Sequence, residues 1–176
     1  MMETPHILQV VGLSKSGKTS FVSELIKKLS NRKELVTSIK SAKTHNYIIS
    51  DKDSDTFLKS GSSLSVVSFR NTTQFTSKEE IDLSRIIEIS LTISKSSVII
   101  IEGYKKLNYS KVLIWNSETL SNISEFNLEG IKYVYCPQEN FIENEENIKR
   151  LRKKIDFHLE TNIDNLISKI IEDMFN

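Results

Sequence analysis

The sequence predicts a doubly wound α/β domain, in which a mostly parallel sheet is covered by helices on both faces. Short apolar runs alternate along the chain with segments whose apolar residues recur at helical spacing. This alternation implies a parallel sheet, because each crossover between parallel strands has to bury an apolar helix stripe. The 176 residues contain no internal repeat and no linker rich in Pro or Gly. We therefore expect one domain over residues 1–176.

The first half of the chain contains three short apolar runs and two segments with helical spacing. The first run ends in glycine and leads into an amphipathic segment, which is the pattern of a buried parallel strand followed by a helix. Gly61 is expected to end the second, shorter helix. The predicted elements are a strand at 6–11, a helix at 19–30, a strand at 35–40, a helix at 53–60 and a strand at 64–69.

The second half of the chain continues this alternation. Ser77 and Glu80 have the spacing of a capping box, so we expect a helix that begins there and runs to about residue 93. Cys136 follows an apolar run and is expected to be a small buried hydrophobe. The remaining predicted elements are strands at 98–101, 111–115 and 131–136 and C-terminal helices over about 145–175, with exposed loops at 71–78 and 104–110.

Charge and hydropathy argue against several classes of function. The formal net charge of +1 gives no reason to expect nucleic acid or an anionic membrane as a partner. No apolar run approaches the ~20 residues of a membrane span, and the N-terminal residues lack the pattern of a signal peptide. A basic run at 149–154 lies on a predicted helix and is either a solvated face or a surface for an anionic partner. We expect a soluble, cytoplasmic protein.

A phosphate-loop motif lies between the first strand and the first helix. Residues 12–19 read GLSKSGKT and match the pattern G-x-x-x-x-G-K-[ST] in full. The two glycines allow a backbone that points several N–H groups at anionic oxygens, and the following helix adds its N-terminal dipole. Lys18 can reach the β- and γ-phosphates, and the Thr19 hydroxyl can ligate Mg²⁺. The motif therefore predicts a nucleotide site of the P-loop type. The alternative is a strand-to-helix turn that binds no ligand.

Two lysines near this motif have less certain roles. Lys15 lies in the middle of the loop and either adds a phosphate contact or faces solvent. Lys40 ends the second strand, where it either meets phosphate or a neighbouring carboxylate or is simply exposed. The predicted nucleotide-binding residues are therefore Gly12, Ser14, Lys15, Ser16, Gly17, Lys18, Thr19, Ser20 and Lys40.

Carboxylates in two places are candidate Mg²⁺ ligands. Glu102 follows the strand at 98–101, and in doubly wound sheets the carboxyl ends of the strands carry the ligand. There it would hold Mg²⁺ or orient the attacking water, unless it is a solvated strand end. Asp53, flanked by Asp51 and Asp55, is either a further Mg²⁺ ligand or a helix cap. The predicted catalytic residues are Lys18 and Glu102, and the predicted metal ligands are Thr19, Asp53 and Glu102.

Several short segments together resemble the MobB family, the molybdopterin-guanine dinucleotide biosynthesis adaptor proteins. The resemblance covers roughly the first two thirds of the chain. It departs from the family pattern at Ser41, where a histidine is usual, and at Thr56, where an arginine is usual. The segments that carry it are the phosphate loop, Ile39-Lys40, Lys52-Asp53-Ser54, Gly61, the sequence VIIIEGYK at 98–105 and residues 110–114.

The resemblance implies a homodimer that binds GTP with Mg²⁺, hydrolyses it slowly and assists a molybdopterin nucleotidyltransferase. GTP enters by the resemblance alone, because the chain has no N-K-x-D segment and residues 116–119 read NSET. Two other functions fit the same loop, a small-molecule kinase and a non-catalytic adaptor whose nucleotide only sets conformation. The kinase would need an arginine-bearing lid over the phosphates, and the sequence contains no clear one.

Overall fold

A computed structural model of the chain describes residues 4–42 and 52–176, so Asp51 lies outside the described residues. The chain divides into two compact units, of which the first comprises Met1–Ser41 with Ser94–Asn176 and the second Ala42–Ile93. The elements in chain order are β1 (His6–Gly12), α1 (Lys18–Asn31), β2 (Val36–Lys40), α2 (Lys52–Lys59), β3 (Leu64–Ser68), β4 (Thr73–Ser77), α3 (Leu83–Ser94), β5 (Val98–Glu102), β6 (Lys111–Ile114), a 3₁₀ turn (Ile123–Glu125), β7 (Ile131–Tyr135), α4 (Gln138–Arg152), β8 (His158–Glu160) and α5 (Ile163–Phe175).

The first unit is built on a six-stranded sheet with the order β2-β5-β1-β6-β7-β8. All five strand pairs in it are parallel. The central strand β1 follows the pattern expected of a buried strand, since five of its seven residues are buried. The predicted α/β fold class is confirmed.

Two apolar cores cover opposite faces of this sheet, because successive strand residues point to opposite sides. On one face Leu8 and Val10 of β1 pack in a cluster with residues of α1 and α5. On the other face Val11 of β1 and Trp115, which follows β6, pack in a cluster with residues of α4. Cys136 belongs to the second cluster and is fully buried, as predicted.

The last strand, β8, is the main departure from the predicted C-terminal helices. The predicted C-terminal helices over about 145–175 include residues 155–160, but α4 ends at Arg152 and residues 158–160 pair with β7. Phe157 explains the difference, since Ile155, Phe157 and Leu159 also alternate with the period of a strand. No helix in the described ranges 4–42 and 52–176 is both long and apolar enough to cross a membrane.

The second unit contains α2, an antiparallel hairpin of β3 and β4, and most of α3. The predicted loop at 71–78 is wrong, because residues 73–77 pair with 64–68 across a short turn. The helix predicted to begin at Ser77 begins instead at Leu83. Its cap is Asp82, whose Oδ1 accepts hydrogen bonds from the Ser84 hydroxyl (2.5 Å) and the Arg85 amide (2.9 Å).

Candidate nucleotide-binding site

The phosphate loop lies between β1 and α1 and is held by its first two residues. Leu13 is buried in the core beneath the loop. Gly12 packs against β6 so closely that a Cβ there would lie 2.9 Å from the Ile114 carbonyl oxygen. Lys15 and Gly17 take the left-handed conformation, with φ of 59° and 89°. Alternation of ordinary and left-handed residues is how a chain forms an anion-binding concavity, so the backbone fits the predicted use.

The exposure of the loop residues also fits a ligand site. Ser14, Lys15, Gly17, Thr19 and Ser20 are exposed, and α1 begins at Lys18 with its first N–H groups open to a ligand. Those N–H groups and the helix dipole favour negative charge at this point. The mid-loop lysine is exposed as well, in agreement with either of its two predicted roles.

Lys18 lies at the centre of the charge distribution of the site. Its ammonium donates a hydrogen bond to the Leu13 carbonyl oxygen and so folds back over the loop. Partial burial lowers the pKa of Lys18, Glu102 opposes that shift, and the positive charges of Lys105 and Lys40 add to it. The charges of Lys18, Lys40 and Lys105 outnumber the single negative charge of Glu102. A bound polyphosphate would supply the negative charge that balances them.

Thr19, Lys40 and Glu102 form a triangle of contacts next to the loop. The Thr19 hydroxyl lies 3.2 Å from both carboxylate oxygens of Glu102. The Lys40 ammonium lies 3.2 Å from the Thr19 hydroxyl and 3.2 Å from Glu102 Oε1. The sheet register brings these residues together. Glu102 pairs with Lys40 on one side and with Val10, two residues before the phosphate loop, on the other, at the carboxyl ends of the strands. Of the roles weighed for Lys40, the carboxylate contact is observed.

The donor atoms of this triangle fit a Mg²⁺ ion shared with phosphate. Mg²⁺ prefers oxygen ligands and is usually held by one or two carboxylates together with substrate phosphates and water. The hydroxyl of Thr19 and the nearly buried carboxylate of Glu102 are such ligands. No group of three His, Cys, Asp or Glu side chains suited to a metal occurs in the described part of the chain. The remaining ligands would therefore have to come from phosphate and water.

Ser16 adds an observation that points to a ligand. Its hydroxyl oxygen is buried and has no hydrogen-bond partner among the described residues. Buried polar groups in native proteins are nearly always satisfied. An oxygen acceptor at the loop would satisfy it, which is consistent with its predicted place among the nucleotide-binding residues.

The segment after Glu102 is held by Gln9, which the sequence analysis missed. Gly103 and Tyr104 are both left-handed, with φ of 98° and 53°. The fully buried amide of Gln9 donates hydrogen bonds of 2.7 Å to the carbonyl oxygens of both residues. A polar residue flanked on both sides by apolar residues, in the sequence ILQVV at 7–11, was the available signal. Gln9 thus fixes the turn that orients Glu102.

The same segment is tied to the 3₁₀ turn on its other side. Lys105 forms an ion pair of 2.6 Å with Glu125, and Lys106 donates a 2.5 Å hydrogen bond to the Ser124 carbonyl oxygen. The backbone N–H of Asn127 donates a hydrogen bond of 2.9 Å to the Lys105 carbonyl oxygen. The segment after Glu102 is therefore braced from two directions.

Two other residues singled out in the sequence are Asp53 and Asn116. Asp53 is exposed in the first turn of α2, in the second unit, and its role as a metal ligand stays a prediction. Asn116 follows β6 and accepts a 2.8 Å hydrogen bond from the buried hydroxyl of Thr119. Thr119 stands where N-K-x-D has its aspartate, and its hydroxyl closes a local turn with Asn116 in place of a carboxylate.

A family model described as molybdopterin guanine dinucleotide synthesis protein B matches residues 7–132. The chain belongs to this family. A member from Bacillus subtilis (strain 168), described as a probable molybdopterin-guanine dinucleotide biosynthesis adapter protein, is 30% identical over 146 residues. The alignment covers 79% of this chain and 81% of that relative. The resemblance found in the sequence is confirmed.

Solved structures show the same fold. The crystal structure of Bacillus subtilis MobB matches with a TM-score of 0.71 at 20% identity, covering 95% of this chain and 96% of that one. The hydrogenase maturation factor HypB from Archaeoglobus fulgidus matches with a TM-score of 0.55 at 14% identity, covering 97% and 90%. The match to the MobB family model includes the phosphate loop, Lys40 and Glu102 and ends before α4.

Proposed function

We propose that this chain is a GTP-binding accessory protein of molybdopterin guanine dinucleotide synthesis and a slow GTP hydrolase that uses Mg²⁺. The observation that carries the proposal is the contact of Thr19, Lys40 and Glu102 beside a phosphate loop. The choice of GTP rests on the resemblance to the MobB family alone, and the pathway comes from the family and from the name of the Bacillus subtilis relative.

Each side chain has a role that follows from its position. Lys18 and the loop N–H groups would bind the β- and γ-phosphates, with Ser16 as a further donor. Thr19 and Glu102 would hold Mg²⁺, which neutralises charge on the phosphate oxygens. Lys40 holds the Glu102 carboxylate in place and adds positive charge. Gln9 keeps the turn after Glu102 in one conformation.

Slow hydrolysis follows from what the arginines of the first unit contact. Arg32 stacks on Phe175, and Arg152 stacks on Phe157. Arg150 lies 4.0 Å from Glu146 on α4. An arginine that reaches the transferred phosphate is worth roughly 10³ to 10⁵ in rate where it is present. We therefore expect a low turnover that a partner enzyme can raise.

The proposal includes two partners. The first is the nucleotidyltransferase that joins molybdopterin to GMP, as the family name suggests. The second is another copy of the chain, supported by exposed apolar side chains on one face of the hairpin, among them Val66 and Phe75. A cytoplasmic location would accompany these roles.

The direct test is nucleotide binding by calorimetry with Lys18→Ala and Lys15→Ala variants. Lys18→Ala is expected to weaken GTP binding at least tenfold, on the order of 1.4 kcal/mol or more, because it removes a charge-assisted contact to phosphate. Lys15→Ala, a change in the same loop, separates the two predicted roles of that lysine: affinity should change by less than about threefold if Lys15 faces solvent, and by more if it contacts phosphate. Titrations with ATP and without Mg²⁺ complete the set. Unchanged GTP affinity in Lys18→Ala would contradict the proposal.

A non-catalytic adaptor is the second candidate, and a specific contact favours it. Glu102 is already engaged by Thr19 and Lys40, so its carboxylate is not free to act as a base. Phosphate release by wild type and by Glu102→Gln, with GTP as the sole substrate, separates the candidates. A slow hydrolase whose Mg²⁺ is held by Glu102 loses about tenfold or more of its rate in Glu102→Gln, whereas an adaptor shows no turnover in either protein. Release without any acceptor also argues against a kinase.

A further inference from the structure

A cavity of about 480 Å³ lies on the first unit, between the end of α4 and the segment around the 3₁₀ turn. Its apolar lining comes from Leu120, Ile123 and Leu151, which belong to or pack against the core that includes Leu13. Cavities of roughly 300 to 1,000 Å³ with apolar walls are the usual sites of small-molecule ligands. The size of this half-open cavity therefore fits a small molecule.

The polar part of the lining is entirely basic. Arg150, Lys153 and Lys154 line the cavity together with the three apolar side chains. Arg150 is balanced in part by Glu146 at 4.0 Å. Lys153 and Lys154 are exposed and form no ion pair within the described residues, although the exposed Asp156 is close in sequence. The cavity thus combines an apolar floor with exposed positive charge at the carboxyl end of α4.

We propose that this cavity binds a small organic anion, with its apolar body on Leu120, Ile123 and Leu151 and its charged group at Lys153 and Lys154. Charge complementarity selects an anion such as a phosphate ester or a sulfonate. The apolar floor selects a ligand with a hydrophobic body, because free inorganic phosphate would leave that surface exposed to water. The site contains none of the residues assigned to the phosphate loop and does not depend on the proposed function.

The test is titration of the ¹⁵N-labelled full chain with 2-naphthyl phosphate, followed by amide chemical shifts. Shifts are expected at Leu120, Ile123 and Leu151. 2-Naphthol, which has the body alone, and inorganic phosphate, which has the charge alone, should each bind more weakly at these amides. Phosphate captured by the loop instead would move residues 12–19, so the two locations are distinguished directly.

Variants measure the contribution of each half of the cavity. The double change Lys153→Gln with Lys154→Gln should weaken binding about tenfold, as expected for two exposed charges. Lys149→Gln, a matched change on α4 outside the cavity, should keep the affinity within about twofold. Ile123→Asp should remove binding, and the dispersion of the same spectra reports whether each variant is folded. Lys18→Ala should leave binding in this cavity unchanged.

Three results would overturn the proposal. Shifts that are absent from residues 120–123 and 151 place the ligand elsewhere. A double lysine variant that binds as tightly as the Lys149→Gln control removes the charge argument. A glutamate-rich peptide that binds here more tightly than 2-naphthyl phosphate makes the cavity a protein-docking site.

Discussion

Lys111 is a fully buried charged residue whose ammonium group donates hydrogen bonds to backbone carbonyl oxygens. Its Nζ donates hydrogen bonds to the carbonyl oxygens of Leu107 (2.6 Å), Asn127 (3.0 Å) and Glu129 (2.7 Å). Burial lowers the pKa of Lys111, and the nearby charge of Glu129 opposes that shift. One side chain at the start of β6 therefore fixes the loops on both sides of it.

Replacing Lys111 by methionine should destabilise the protein although the volume is nearly preserved. The change leaves three carbonyl groups without their donor, and a buried unsatisfied group costs about 1–3 kcal/mol. We expect the free energy of unfolding to fall by roughly 2–4 kcal/mol in urea denaturation. Lys132→Met, on an exposed position of β7, is the matched control and should stay within about 0.5 kcal/mol. Equal stabilities of the two variants would contradict the structural role of Lys111.

The sequence was most informative at residues whose chemistry repeats a known spacing. Lys18, Thr19 and Glu102 were predicted because the phosphate loop and the strand end are local patterns, and the last two are in contact. Gln9 was missed because both of its acceptors lie more than 90 residues away, and Lys111 because two of its three acceptors lie 16 and 18 residues away. The role of a lone polar residue in an apolar run depends on the backbone groups that face it, and the sequence does not identify those groups.

At the scale of elements, the errors fell where one pattern fits two structures. Residues 155–159 satisfy both helical spacing and strand alternation, but 155–157 belong to neither element and only 158–160 pair with β7. Residues 73–77 contain Thr and Phe, which favour strands, but their polar composition predicted a loop. Ser77 and Asp82 are both good caps, so the start of α3 could not be located from capping residues alone.

Asp82 gives α3 a stability that depends on pH. The hydrogen bond from the Ser84 hydroxyl, followed by that from the Arg85 amide, holds the pKa of Asp82 below its ordinary value. Because the native pKa is depressed, the stabilisation is present above the ordinary value of 3.8 and is lost as pH falls through the native pKa. Asp82→Ala should therefore lower the melting temperature at pH 7, and the difference from wild type should shrink in acid.

Circular dichroism melts between pH 2 and pH 7, roughly the range in which carboxyls titrate, would check this expectation. Asp82→Asn is the matched control, because asparagine caps a helix but does not titrate there. It should retain most of the stability at pH 7 and lose the part of the pH dependence that Asp82 contributes. A melting temperature of Asp82→Ala equal to that of wild type at pH 7 would rule out the cap.

At the scale of the whole molecule, the hairpin of β3 and β4 is an unusual feature. A two-stranded sheet is marginally stable alone in water. Val66 and Phe75 lie directly opposite each other, and both are about half exposed, as is Leu64 on the same face. Apolar side chains grouped in this way on a soluble protein commonly mark an interface. In the homodimer proposed above, this face of the hairpin would contact the second copy of the chain.

A change of Phe75 to lysine should therefore shift the protein from dimer to monomer. The lysine places a charge in the centre of the proposed interface, where an unpaired charge is costly, so the dimer dissociation constant should rise by about a hundredfold or more. Sedimentation velocity over a range of concentrations measures this directly. Phe57→Lys is the matched control, because Phe57 is equally exposed but lies on α2 and not on the hairpin. A wild-type monomer at every concentration, or identical behaviour of the two variants, would show that the hairpin face serves another purpose.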